Sequence, residues 1–268
     1  MFETIKMYFI YVSITIKSWF QYKLDAVLRS FAVFLREASG IIIIYLTLKS
    51  FDKLNGWSTM ELFFLYSLIF LTYAILIIFF TGLRDFEYLI NNGTFDRFLL
   101  RPRGVLFQVL ASNSDWFAAI GHGSLGLILM LISANKIGII WSFGKIMYFI
   151  AAIISGVLIQ GAIFLFISSL SFFIIKVANL RDVLYYDIRQ FAGYPISIYP
   201  KVLQILMIYI VPFAFVNFFP VQFILRKPDM AGFSNIFMYI APCIGIVLYL
   251  ISYAFWRFSL KHYHSSGN

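Results

Sequence analysis

An all-α integral membrane fold with six transmembrane helices is predicted by three observations. First, 62% of the 268 residues are apolar and only 12% are charged, against about 45–50% and about 25% in soluble domains. Second, the apolar residues gather in runs near the roughly 20 residues that a helix needs to cross a bilayer. Third, these runs are solid, as in 146–175. The alternation in segments of about 10 residues that marks a membrane β-barrel is missing from them. Helices follow because lipid offers no partner to an unpaired backbone group.

Taken in order, the predicted spans are 26–48, 60–82, 116–135, 146–176, 201–219 and 236–258. The first carries Arg36 and Glu37, adjacent and so about 100° apart on a helix. They read as intramembrane polar residues that satisfy neighbouring helices or line an interface, rather than as one proton site. The third span follows Asn113-Ser114-Asp115, a helix start. It contains Ala118, Ala119, Gly121, Gly123, Ser124 and Gly126, small residues that permit close helix approach. His122 among them reads as hydrogen-bonded packing. Pro195, Pro200 and Pro220 bracket the fifth span, and Pro212 inside it is a candidate gating kink. The sixth holds Cys243, the single cysteine, which excludes an intrachain disulfide. No His/Cys spacing suggests a metal site.

Residues 1–23 precede the spans. Lys6, Ser13, Lys17 and Gln21 form a polar stripe with Phe9, Ile16, Trp19 and Phe20 around it, which suits a helix lying in the interface. The apolar stretch 7–16 resembles a signal-peptide core, but Lys17-Ser18-Trp19-Phe20 follows it in place of a small-residue cleavage site.

Basic residues orient the chain. With the N-terminus inside, the inner segments hold Lys6, Lys17, Lys23, Arg84, Arg97, Arg101, Arg103, Lys176, Arg181, Arg189, Lys201, Arg257 and Lys261. The outer segments hold Lys49, Lys53, Lys136, Lys145, Arg226 and Lys227. Thirteen against six places both termini in the cytoplasm. In this reading 83–115 and 177–200 are cytoplasmic, and 220–235 is an extracellular loop between spans five and six. The net charge of +9 is spread over span ends without one basic face, so nucleic acid is not an expected partner.

The most informative stretch is a polar island, 83–103. Phe86, Leu89 and Ile90 share one side of a short helix. Asn92-Gly93 is a turn signal, and the chain turns again at Pro102. Read alone, the island is also consistent with a solvated turn. However, Asn92-Gly93-Thr94-Phe95-Asp96-Arg97-Phe98-Leu99-Leu100-Arg101-Pro102 resembles the G-x-x-D-x-x-L-x-x-P segment of ABC-2-type export permeases. A second block, Tyr194-Pro195 and Ile198-Tyr199-Pro200, then Ile210-Val211-Pro212-Phe213-Ala214-Phe215 and Phe219-Pro220, is similar to the six-span branch that includes daunorubicin- and viologen-type exporter subunits.

The resemblance implies one transmembrane permease domain over 1–268, in the plasma (inner) membrane. It has an elbow helix at 1–23 and a cytoplasmic coupling helix at 83–104. It further implies a second permease subunit, identical or homologous, and two cytoplasmic ABC ATPase subunits that bind ATP and magnesium. Asp85, Glu87, Asp96 and Arg97 would be polar contacts to the ATPase. Phe86, Phe95 and Phe98 would be apolar anchors, with Gly93, Arg101 and Pro102 shaping the loop. The chain itself contains no G-x-x-x-x-G-K-[ST], so neither an ATP site nor a bound cofactor is expected on it. A hydrophobic or amphipathic substrate is expected. Two other readings stay open. One is a gradient-driven carrier. The other is a membrane-embedded lipid-processing enzyme, for which Ser124 near His122 is a poor nucleophile–base pair because residues two apart face different ways.

Overall fold

The computed structural model describes Met7, Ile10, Ser13 and residues 23–49, 53–227 and 231–264; most of the expected elbow helix lies outside the described residues. Among the described residues the fold is all helix. The elements are α1 (Lys23–Lys49), α2 (Thr59–Phe79), α3 (Thr81–Arg84), α4 (Phe86–Asn91), α5 (Asp96–Leu99), α6 (Val105–Ser112), α7 (Trp116–Ile137), α8 (Phe143–Leu170), α9 (178–191), α10 (Lys201–Ile210), α11 (Phe213–Leu225) and α12 (Ile236–Leu260). Among the described residues α2, α7, α8 and α12 are long and apolar enough to cross a membrane, and the α10–α11 pair would be a fifth if it were one span. The chain is a multi-span membrane protein.

Local chemistry fixes the ends. Ser58 and Glu61 form a reciprocal capping box that starts α2. The Asp115 carboxylate accepts from the Ala118 N–H at 3.2 Å to start α7, as its position predicts. α7 stops at Gly138, whose φ of +75° suits glycine. Between its ends α7 packs through small residues. Gly121 lets it approach the Ser30 carbonyl of α1, and Gly126 lets it approach the Leu71 backbone of α2.

The loops collect at two poles. At the arginine pole, Asn91 donates to the Ile175 carbonyl at 2.9 Å and the Val177 N–H to Glu87 at 3.1 Å. Arg29 pairs with Asp115 there at 2.5 Å. At the lysine pole, Lys227 pairs with Glu61 at 2.9 Å and donates to the Gly56 carbonyl at 2.8 Å.

These contacts divide 177–225 differently from the hydropathy reading. α9 was expected inside a cytoplasmic loop, but the segment 178–197 that it opens runs from one pole to the other. Arg181 near its start donates to the Arg84 carbonyl. Beyond the end of α9, the Ala192 carbonyl accepts from Asn217 at 2.6 Å and the Ser197 carbonyl from Asn55 at 3.2 Å. A π-helical stretch, Asp182–Asp187, lies in its middle. Conversely, 201–219 does not traverse the bundle. Lys201 sits at the lysine pole, donating to the Ala231 carbonyl, and Lys227 just beyond α11 is at the same pole. The chain bends by 74° between α10 and α11, and Phe213 at the bend lies 5.5 Å from Tyr185 of α9. The pair is a re-entrant hairpin. Pro212 stands at its bend, buried rather than within a continuous helix. Residues 220–225, read as loop, are the buried end of α11.

α12 is opened at Pro242 and repaired by α8. Proline supplies no N–H to the Met238 carbonyl, and the Tyr148 hydroxyl donates to that carbonyl instead. One turn on, the Ser155 hydroxyl is inserted into the ladder. It accepts from the Gly245 N–H at 3.0 Å and donates to the Ala241 carbonyl at 2.7 Å. The backbone groups beside the proline thus have partners, so Pro242 costs the helix little.

Candidate functional site

Two regions concentrate chemistry: the polar island at the arginine pole and a polar strip across the middle of the bundle. In the island, α4 ends where Gly93 adopts a φ of +65°, a conformation that only glycine takes without strain. The chain reverses there, and the Phe95 N–H donates back to the Leu89 carbonyl at 3.0 Å. Gln108 of α6 then ties down the outgoing strand of the loop, donating to the Phe98 and Arg103 carbonyls at 3.0 and 2.9 Å.

Phe86 and Phe95 do not point outward as docking anchors. Both are 0% exposed and meet edge to face with ring centroids 5.2 Å apart. Phe86 also meets Trp256 of α12 at 4.9 Å, and Phe95 meets Tyr263 at 4.9 Å. Phe172, just beyond α8, contacts both at 5.4 and 5.6 Å. The Tyr263 hydroxyl donates to Asp96 at 2.8 Å, and Ser168 of α8 donates to the Leu83 carbonyl at 2.9 Å. The underside of the island is therefore keyed into α8 and α12. Its outer surface carries Tyr88 and Leu100, 68% and 85% exposed, with exposed Asp85, Arg97, Arg101, Pro102 and Arg103. Phe98 is half-buried beneath the Arg101 guanidinium, 5.7 Å from its ring centre. Glu87 faces Val177 inside the chain. Burial works against the charge on Arg84, but the hydrogen bond and charge of Asp85 outweigh it and raise the pKa.

In the middle of the bundle, Tyr185 of α9 donates to Gln160 of α8 at 2.7 Å. The Gln160 amide donates to Thr72 of α2 at 2.9 Å and to the Gly156 carbonyl at 3.1 Å. This buried network links three helices with its donors used. Arg189, one turn along α9 from Tyr185, lays its guanidinium 3.7 Å from the centre of the Tyr73 ring. His122 is buried with its ring edge-on to Tyr73 at 4.8 Å. Its Nδ1 lies 4.0 Å from Glu37 and has no hydrogen-bond partner. Arg36 and Glu37 pair with each other at 2.7 Å. Arg36 is largely exposed on the flank of α1, while Glu37 turns inward. Glu37, Tyr66, Phe70, Tyr186, Arg189 and Tyr194 line a cleft of about 360 Å³ between α1, α2 and α9.

Sequence reasoning located the island but missed Trp256, Phe172 and Tyr263 beneath it, and it read Arg189 as loop charge. A usable signal was present: Tyr185 and Arg189 stand four apart, one face of a helix, beside the apolar Ile188. Among the described residues no group of His, Cys, Asp or Glu could hold a metal ion.

Comparison with known proteins follows this geometry. No curated protein and no solved structure matches the chain. The family described as ABC-2 family transporter protein matches residues 34–267, from the middle of α1 through the arginine-pole end of α12, and so includes both the island and the polar strip. A match of that extent makes the chain a transporter permease, not a catalytic subunit: it belongs to the ABC-2 transporter family.

Proposed function

We propose that the chain is the permease subunit of an ATP-driven exporter in the plasma (inner) membrane, of the branch that includes daunorubicin- and viologen-type exporters. It moves a hydrophobic or amphipathic substrate. A second permease, identical or homologous, pairs with it, and two cytoplasmic ABC ATPases carry the ATP and magnesium. The arginine pole and both termini face the cytoplasm. Six segments cross the membrane: α1, α2, α7, α8, α9 together with the residues up to 199 that follow it, and α12, with 1–23 as the elbow and α10–α11 as an outer re-entrant hairpin. Positive charge at the arginine pole supports this orientation. Labelling tests it in a Cys243→Ser background, since Cys243 is exposed. In intact cells an impermeant thiol reagent is expected to miss a cysteine at Asn92 and to label one at Lys53 and one at Val202, which is exposed just beyond the segment that follows α9. Protection of position 202 together with 92 would return α9 to a cytoplasmic loop.

The observation that carries the reading is the build of the island, keyed beneath to α8 and α12 and bare above. A push on Tyr88, Leu100 and the surrounding Arg97, Arg101 and Asp85 would pass into the bundle through Phe86 and Phe95. Exposed aromatic and arginine side chains suit a docking surface. Tyr88→Ala with Leu100→Ala is expected to weaken ATPase association by at least about 2 kcal/mol, roughly thirtyfold, and to leave membrane insertion intact. ATPase co-purification and export both at wild-type levels would reduce the island to a solvated turn. A gradient-driven carrier is the reading that intramembrane Glu37, His122 and Arg189 would otherwise serve; vanadate-sensitive export rules it out.

A further inference from the structure

We infer that the cleft between α1, α2 and α9 is a binding site for an amphiphile with an anionic headgroup, and that Arg189 is the residue that holds the charge. The inference rests on the transporter reading only in making the ligand a candidate substrate; the binding itself is independent of it.

Arg189 lies more than two helical turns from the arginine-pole end of α9 and faces the cleft. One face of its guanidinium is covered by the Tyr73 ring. Stacking uses the face and leaves the in-plane N–H donors free for a ligand. Its Nε is buried with no hydrogen-bond partner, and among the described residues no carboxylate pairs with it. A cation in a low-dielectric setting is costly unless something of opposite sign meets it.

The acid on the facing wall does not serve. Glu37 accepts from Arg36 through both Nη2 and Nε, at 2.7 and 3.1 Å. Arg36, Glu37 and Arg189 together therefore leave one positive charge, and it is on the fork that opens into the cleft. The same fork geometry favours carboxylate, sulfate or phosphate over a neutral headgroup, because two parallel N–H donors meet two oxygens.

The rest of the cleft suits an acyl or alkyl chain. Ile41 and Ile44 of α1 face Ile69 and Phe70 of α2 across it. Tyr66 and Tyr194 place phenol groups beside the headgroup position, with rings 6.0 Å apart, and a neutral phenol donates to an anion. At about 360 Å³ the cleft is within the size range of ligand sites, about 300–1,000 Å³. It holds a headgroup and the first part of a chain, and the remainder extends along the apolar flank of α1.

The test uses the purified full chain in neutral detergent, with native mass spectrometry and thermal shift as readouts. The probes are dodecyl phosphate, dodecyltrimethylammonium and inorganic phosphate. Dodecyl phosphate is expected to bind and stabilise, and the other two are not. Arg189→Gln is expected to weaken dodecyl phosphate binding at least about tenfold, the scale of one lost charge-assisted contact, and Arg189→Lys by less. Glu37→Gln, which leaves Arg189 in place and frees Arg36, is expected to keep or strengthen binding. Helical content and elution volume of each variant establish that it is folded. Equal binding by wild type and Arg189→Gln, preference for the quaternary ammonium, or no binding of dodecyl phosphate overturns the inference. If Arg189 instead meets a carboxylate of a second permease, Arg189→Gln will alter subunit association without altering amphiphile binding, and that outcome also overturns it. Vanadate-sensitive export is measured separately, so a failed binding result leaves the exporter reading standing.

Discussion

Phe95→Ala will loosen the island's hold on the bundle. Phe95 is fully buried among Phe86, Phe172 and Tyr263, and truncating such a ring costs about 3–5 kcal/mol. That exceeds what Gln108 can hold through two backbone carbonyls, at roughly 1 kcal/mol each. Helices α2, α7 and α8 keep their apolar faces, so the variant should insert and remain helical. Hydrogen exchange over 86–99 is expected to rise steeply; under the proposed exporter reading, export should fall to background while ATPase association weakens less. Tyr263→Phe, which keeps the ring and removes only the hydroxyl that meets Asp96, is expected to act in the same direction at about 1 kcal/mol. Wild-type exchange in the Phe95→Ala protein would mean that the aromatic cluster does not hold the loop.

Gly245→Leu will separate α8 from α12. A side chain at Gly245 runs into the backbone and hydroxyl of Ser155, and neither is a flexible tip that could swing aside. Overpacking of a tight interface costs about 1–3 kcal/mol. Here the upper end is expected, because displacing Ser155 also strips the Gly245 N–H and the Ala241 carbonyl of their shared partner. Gly144→Leu is the control: nothing lies within 4 Å of a Cβ added there. Melting temperature and the yield of monodisperse protein in detergent should drop for Gly245→Leu alone. Equal behaviour of the two variants would place the α8–α12 contact elsewhere.

What the sequence disclosed depended on how each segment is solvated. α2, α7, α8 and α12 were legible because their residues, facing lipid or a neighbouring helix, are apolar on all sides. α9 was not, because Arg181, Asp182, Asp187 and Arg189 lower its hydropathy. Tertiary partners stand where water would otherwise be: the Arg84 carbonyl for Arg181 and the Tyr73 ring for Arg189. The stretch 201–219 was read as a span because composition alone does not distinguish a helix that crosses from a pair that turns back. The decisive contacts, Lys201 with Ala231 and Lys227 with Gly56, join residues distant in sequence. The island was found through its charges and its Asn-Gly and Arg-Pro-Arg punctuation. The inward aim of Phe86 and Phe95 depended on Trp256 and Tyr263, about 170 residues away, which local pattern does not reveal.

The re-entrant hairpin has a bearing on electrical leakage. Every residue from 211 to 222 is buried, and the few polar side chains there are occupied: Asn217 spans from the Leu65 to the Ala192 carbonyl. An ion entering from the lysine pole through this part of the chain would meet the buried rings of Phe213, Phe215, Phe218 and Phe219 and would have to shed its hydration shell, a penalty of many kcal/mol. The hairpin therefore acts as an insulating plug over its own stretch of the bundle. A membrane that holds a large potential loses none of it by this route.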